Sequence, residues 1–247
     1  MRLNFDLLLI LKGMFYRLYQ VPIFVYHSIS GNSDNAIPLD IFKRHLDFFC
    51  RHRFEILSVS QLVKLVLGQG KPRYPCVTIT FDDGYVDFYN LVFPLVKKNG
   101  IPVALFVVVK NIGQPNYLNL KQLQEIATCP LVTVGSHSMT HSSDLVSLDR
   151  EGLYMEIVES KRELERILQK EIDYFAYPWG FFSHSVKDMV RQADYRAAFS
   201  TNLFLGKRFT RPDIFSLCRL TPRRDDSKLR FLVKSSGLGT YFSRRIK

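Results

Sequence analysis

Residues 76–84 read Cys76-Val77-Thr78-Ile79-Thr80-Phe81-Asp82-Asp83-Gly84. The first six are apolar or β-branched, which suits a strand buried on both faces. The strand pattern runs straight into two adjacent carboxylates and a glycine. An Asp-Asp-Gly turn commonly closes a hairpin. Here, however, a helical pattern follows, Val86 to Lys98, and it ends at Gly100, a helix stop signal. Next comes Val103 to Val109 (VALFVVV), the clearest buried strand of the chain. A strand, a helix of crossover length and a second strand make a parallel βαβ unit.

The alternation continues on both sides of this unit. Val21 to Tyr26 reads as a strand, Leu39 to His52 as a helix with Phe42, Leu46 and Phe49 at helical spacing, and Gln61 to Leu67 as a short helix. Downstream, Leu118 to Ala127 reads as a helix, Leu131 to Val134 as a strand and Asp149 to Gln169 as a long amphipathic helix. Tyr174 to Tyr177 and Ala197 to Thr201 are further short strands. In a barrel of parallel strands, the C-terminal strand ends converge on one face. Four polar clusters sit at such ends: His27-Ser28, Asp82-Asp83, Ser136-His137 and Trp179-Gly180.

The chemistry of these clusters is specific. Adjacent carboxylates repel one another and lose solvation, so a fold does not bury them without a cation. Neighbours in a strand point opposite ways, so Asp82 and Asp83 do different work. One can bind a metal while the other accepts a proton. His137 and His141 are four apart, which on a helical turn places both on one face and suits two-point chelation. Two histidines and one carboxylate leave positions open for water and substrate, as catalytic zinc requires. Trp179 is the only tryptophan, and between Pro178 and Gly180 it can form a sugar-stacking wall or expose a backbone N–H.

Composition sets outer limits. With 247 residues and 47% hydrophobic content the chain can bury a sizeable core, which excludes a disordered protein. Cys50, Cys76, Cys129 and Cys218 form no C-x-x-C pair, and we read them as buried free thiols rather than a disulfide framework or thiolate site. The net charge of +11 favours anionic partners. From Arg219 to Lys247 nine Lys or Arg stand against two Asp, interleaved with Phe231, Leu232, Val233, Leu238, Tyr241 and Phe242. That mixture reads equally as a solvated basic tail and as a segment for an anionic membrane surface. No helix-turn-helix, finger or single-strand-binding pattern appears, so specific nucleic-acid recognition is not expected. Residues 1–20 form an apolar or amphipathic segment whose apolar run, Leu7 to Leu11, is too short to span a membrane and lacks a small-residue cleavage site; an uncleaved signal anchor is the lesser reading. The expected location is therefore cytoplasmic, with peripheral attachment to the inner membrane face as an option.

Taken together, Thr80-Phe81-Asp82-Asp83-Gly84, His137-Ser138-x-x-His141 and Tyr177-Pro178-Trp179-Gly180 resemble the motifs of the polysaccharide deacetylase (NodB-homology) family. The flanking segments Val21 to His27, Gly100 to Phe106 and Tyr195 to Phe199 agree with it. The likeness spans residues 20–225, with a basic C-terminal tail beyond, and is nearest to exopolysaccharide and poly-N-acetylglucosamine deacetylases. The resemblance implies an α/β fold, a distorted, incomplete (β/α) barrel. It also implies removal of acetyl groups from an N-acetylated glycan or lipid-linked sugar. By resemblance Asp83, His137 and His141 hold Zn²⁺ or another divalent ion such as Co²⁺, Ni²⁺ or Mn²⁺, and Asp82 is the general base. The Trp179 backbone N–H meets the oxyanion, with Tyr177 and Tyr85 also placed towards substrate.

The chain departs from the common pattern twice. The usual Leu-x-His motif near the C-terminus is replaced by Leu220-Thr221-Pro222, and the usual arginine of the third motif by Ala176. His27 is therefore the candidate general acid, with His184 a weaker one; His45 and His52 are expected on an exposed helix face. The departures keep two alternatives open: an inactive glycan-binding relative, and a hydrolase of non-sugar C–N bonds.

Overall fold

The computed structural model describes residues 21–29, 35–70, 75–201 and 213–236. The N-terminal segment 1–20 and the stretch 237–247 of the basic tail lie outside the described residues.

Eight strands form one sheet. They are β1 (Ile23–Tyr26), β2 (Glu55–Ile56), β3 (Cys76–Phe81), β4 (Val103–Val107), β5 (Val132–Ser136), β6 (Tyr174–Ala176), β7 (Ala197–Ser200) and β8 (Leu217–Cys218). The order is β1-β3-β4-β5-β6-β7-β8, with β2 on the start of β3, and every pairing is parallel. The sheet curls nearly closed into a barrel with one open seam. There a single bridge joins Phe24 to Leu220, through Val25 N–H to Leu220 O (3.0 Å) and Leu220 N–H to Ile23 O (2.7 Å).

Helices pack around the sheet: α1 (Leu39–Arg51), α2 (Val59–Val66), α3 (Phe93–Asn99, entered through the π-helical Phe88–Val92) and α4 (Leu120–Thr128). Beyond them, α5 runs through Arg150–Leu153, the π-helical Tyr154–Glu159 and Ser160–Leu168. Then come α6 (His184–Gln192) and α7 (Lys228–Ser235). Local chemistry sets the boundaries. Ser58 with Gln61, and Asn119 with Gln122, form capping boxes, and Gly100 ends α3 in the left-handed conformation (φ 62°). The two long helices expected from periodicity are present, but each contains a π turn, an insertion that a 3.6-residue period does not reveal.

Strand parity divides the core. Val103, Leu105 and Val107 of β4 join the larger apolar cluster under the helices, whereas Ala104 and Phe106 join the smaller one inside the barrel. Ile23, Tyr174, Ala176, Ala197, Phe199 and Leu217 share that interior. Gly135 lies in the same layer, where an added Cβ would come within 2.6 Å of the Phe106 ring. Continuing the interior parity past the strand ends selects His27, Asp82, His137 and Arg219. Four strands thus deliver four polar side chains to one mouth.

Three expectations are corrected. His45 is buried, not exposed: its ring stacks on Phe231 at 3.9 Å and its Nδ1 lies 3.0 Å from the Tyr26 hydroxyl. Burial holds its pKa down at about 4. Of the cysteines only Cys76 is buried; Cys50 is exposed and the other two are part-buried. The residues 226–236 are not a solvated tail. Helix α7 is capped by Ser227, and its Phe231 packs on Phe24, Phe48 and Phe49 with centroids 5.4–5.6 Å apart. Arg219, counted with the tail charge, is buried in the barrel. No helix among the described residues is long and apolar enough to cross a membrane.

If α7 is a structural part of the barrel, Phe231→Ala will cost about 3 kcal/mol of stability, read by urea denaturation. A solvated tail would change it by less than about 0.5 kcal/mol.

Candidate active site

At the end of β3 the chain has to separate two consecutive carboxylates. The Asp82 N–H donates to Tyr26 O (2.9 Å), and the carboxylate follows the interior parity. Asp83 then takes a left-handed conformation (φ 71°), as does Gly84 (φ 79°). This turn swings the second carboxylate to the top of the same mouth, although strand alternation alone would send it to the other face.

Asp82 is buried against Arg219. The guanidinium, only 1% exposed, donates from Nη1 to Oδ1 and from Nη2 to Oδ2, both at 2.7 Å. Nη1 also lies 3.3 Å from Thr80 Oγ1, and the guanidinium sits 5.4 Å over the Phe106 ring. Burial works against the charge of Asp82, but Arg219, aided by His137 and His27, holds its carboxyl at about 2. The Asp83 carboxyl lacks such a partner: burial and the neighbouring Asp82 charge push it up to about 7.

His137 and His141 complete the centre. His137 Nδ1 donates to Ala176 O (2.8 Å), so Nε2 keeps its lone pair and faces the carboxylates. His137 Nε2 lies 3.6 Å from Asp83 Oδ1, and so does His141 Nε2. Burial lowers both imidazoles, His137 to about 3, so they are neutral at physiological pH. The donor atoms of Asp83, His137 and His141 all lie within 4.8 Å of one another. Two neutral imidazoles and a carboxylate starved of a counter-charge fit a divalent ion of the zinc type. The histidines do not share a helical turn, as their spacing suggested. They sit on a loop in which Ser138 (φ 69°) and His141 (φ 61°) are left-handed.

These groups line a cleft of about 1100 Å³. His27 borders it, half-buried, with its Nδ1 unpartnered among the described residues; burial lowers its pKa, against the pull of Asp82. Trp179 stands at the rim, 57% exposed, with its ring 5.4 Å from that of His141. It too is left-handed (φ 58°). The next residue must be glycine, since a Cβ on Gly180 would fall 2.1 Å from Thr201 Oγ1. Tyr85 forms part of the wall with Tyr117, their rings stacked at 4.9 Å. Tyr177 also borders the cleft, but its ring is buried and its hydroxyl donates to Phe215 O (2.9 Å). His184, exposed at the start of α6, and His52 do not join the lining.

Sequence reasoning missed Arg219 and Tyr117. For Arg219 a signal existed. A single charge inside the apolar run Leu217-Cys218-Arg219-Leu220, in a chain with Ala176 where a motif arginine is expected, marks a buried partner for an orphaned carboxylate.

The nearly closed parallel barrel thus carries two carboxylates and two histidines at its mouth. The sequence profile of polysaccharide deacetylases matches residues 69–198, and the chain belongs to that family. It is 27% identical to YxkH of Bacillus subtilis over 182 residues, 74% of this chain and 64% of the relative. It is 22% identical to the poly-β-1,6-N-acetyl-D-glucosamine N-deacetylase of Staphylococcus aureus over 190 residues, 72% of this chain and 65% of the relative. It thus spans just under two thirds of the length of these curated relatives. Among solved structures, IcaB from Ammonifex degensii superposes with a TM-score of 0.77 at 23% identity, covering 89% of this chain and 97% of that one. The deacetylase PplD of Streptococcus pyogenes gives 0.73 at 23% identity, covering 83% and 93%.

Two outcomes follow from the electrostatics. Because its folded pKa is raised, Asp83 withdraws stability from the metal-free protein as pH climbs from about 4 to about 7. Asp83→Asn will therefore raise the Tm in chelator by several degrees at pH 8, with no gain at pH 4. The Arg219–Asp82 pair is coupled. Arg219→Met alone will cost about 3–5 kcal/mol by stranding a buried charge, and adding Asp82→Asn will recover much of that loss in a double-mutant cycle.

Proposed function

We propose that this chain is a metal-dependent hydrolase that removes N-acetyl groups from amino-sugar residues of a glycan. Poly-β-1,6-N-acetylglucosamine is the substrate class to try first. The observation that carries the reading is the convergence of Asp83, His137 and His141 within 4.8 Å, beside an ionised Asp82 at the floor of an open cleft. The Staphylococcus relative supports the choice of substrate.

Water adds to the acetamide carbonyl carbon, the C–N bond breaks, and acetate and the sugar amine leave. Asp83, His137 and His141 would hold the divalent ion, which when bound polarises the carbonyl and lowers the pKa of water. Zinc is the first choice; cobalt, nickel and manganese suit the same donors. Asp82 accepts the proton of the attacking water, and Arg219 keeps its oxygens ionised and fixed in direction. By the family resemblance the Trp179 backbone N–H would meet the developing oxyanion, and its exposed indole offers a flat surface to a sugar ring. The Tyr85–Tyr117 pair offers a second such surface.

His27 gives a proton to the departing nitrogen. It enters the reaction protonated, favoured by the Asp82 charge that opposes the effect of burial on its pKa, and the proton that Asp82 has taken from water restores it afterwards. An intact constellation of base and ligands favours this enzyme over an inactive binder.

Metal content after zinc loading and dialysis tests the reading, with acetate release from N-acetylglucosamine oligomers beside it. The parent will hold about one zinc per chain; Asp83→Ala and His137→Ala will hold none and release no acetate. His27→Ala will keep its metal while kcat falls on the order of 10²-fold or more. A folded parent that binds no metal sinks the proposal.

A further inference from the structure

The loop between His137 and His141 cannot hold its own shape. Two of its residues, Ser138 and His141, occupy the left-handed region, which non-glycine residues leave unless the surroundings fix them. What fixes them comes from α5. The carboxylate of Glu156 is buried, and its Oε2 accepts from Met139 N–H (3.1 Å) and Thr140 N–H (3.0 Å). Oε1 accepts from Thr140 Oγ1 (2.5 Å). A buried carboxylate is costly unless hydrogen-bonded. Among the described residues this one spends its charge on the loop and pairs with no cation.

Glu156 lies in the π-helical turn Tyr154–Glu159. In that turn the Ile157 carbonyl accepts from Tyr195 OH and Ser160 Oγ, each at 3.0 Å. Ser160 Oγ is also 2.8 Å from Ser136 Oγ, which accepts the Ser138 N–H (3.2 Å). Within the loop, Ser138 Oγ accepts the His141 N–H (3.0 Å). Helix α5 thus grips the loop at its start, through Ser160, and at its middle, through Glu156.

We propose that Glu156 is a positioning residue for the metal centre: through Met139 and Thr140 it sets where His141 stands relative to His137 and Asp83. This rests on the reading of those three as metal ligands. Carboxylates that steady a ligand from behind commonly affect affinity 10–100-fold.

The test uses the whole chain with zinc or cobalt alone. Zinc affinity is measured by competition with a chromophoric chelator, and the visible absorption of the cobalt form reports ligand geometry. Glu156→Ala is expected to lose at least about tenfold in zinc affinity and to shift the cobalt bands, with circular dichroism unchanged. Glu156→Gln is expected to stay near the parent, since its amide oxygen can accept both N–H groups while its NH₂ donates to Thr140 Oγ1. Should Glu156→Ala not fold, Glu156→Asp decides: it keeps the charge but falls one methylene short of the loop, and the same loss is expected. Parental affinity and parental cobalt bands in a folded Ala or Asp variant overturn the inference and leave the metal site standing. A parent that binds neither metal overturns both.

Discussion

Two carboxylates, Asp82 and Asp83, are driven together at the end of one buried strand, and the guanidinium of Arg219 makes the arrangement tenable. It takes one carboxylate in a two-pronged grip and leaves the other uncompensated. The result is a division of labour set by electrostatics. Asp82 stays ionised across the physiological range, while Asp83 lies near neutrality and gains most from an incoming cation. The same arginine stands between β8 and the Leu220 bridge that spans the barrel seam, so the segment that closes the seam also holds Asp82.

Much of this could be read from the chain alone. Alternating strand and helix patterns gave the parallel sheet, and polar residues just past the strands gave the mouth. Interior parity explains why His27, Asp82 and His137 meet there. Arg219 was obscured because a charge count cannot distinguish a buried arginine from a solvated one, and its partner stands far away in sequence. His45 was misread for a related reason: its helix face looks polar until α7, a later element, covers it with Phe231. The histidine pair meets at one centre but not on a helical turn, since a four-residue spacing is equally compatible with a loop whose backbone is held left-handed by distant groups.

Of the eight non-glycine residues with positive φ among the described residues, four stand at the barrel mouth. Asp83, Ser138, His141 and Trp179 are all left-handed without being glycine, and all border the cleft or hold a residue that does. Such conformations are retained only where neighbours over-determine them. At this mouth the neighbours are buried polar groups: the Glu156 carboxylate, the Ser136 and Ser138 hydroxyls, and the Ala176 carbonyl behind His137. The apolar wall below supplies stability, and the polar layer converts some of it into fixed direction.

The position of Arg219 in the chain has a temporal consequence. During synthesis Asp82, Asp83, His137 and His141 have all emerged while the last strand is still being made. A nascent chain therefore carries two abutting carboxylates before their resident guanidinium arrives. Until then the pair keeps its water, because desolvating both acids is opposed by their mutual repulsion. The order of synthesis thus makes the burial of Asp82 a late step of assembly, tied to the arrival of Arg219.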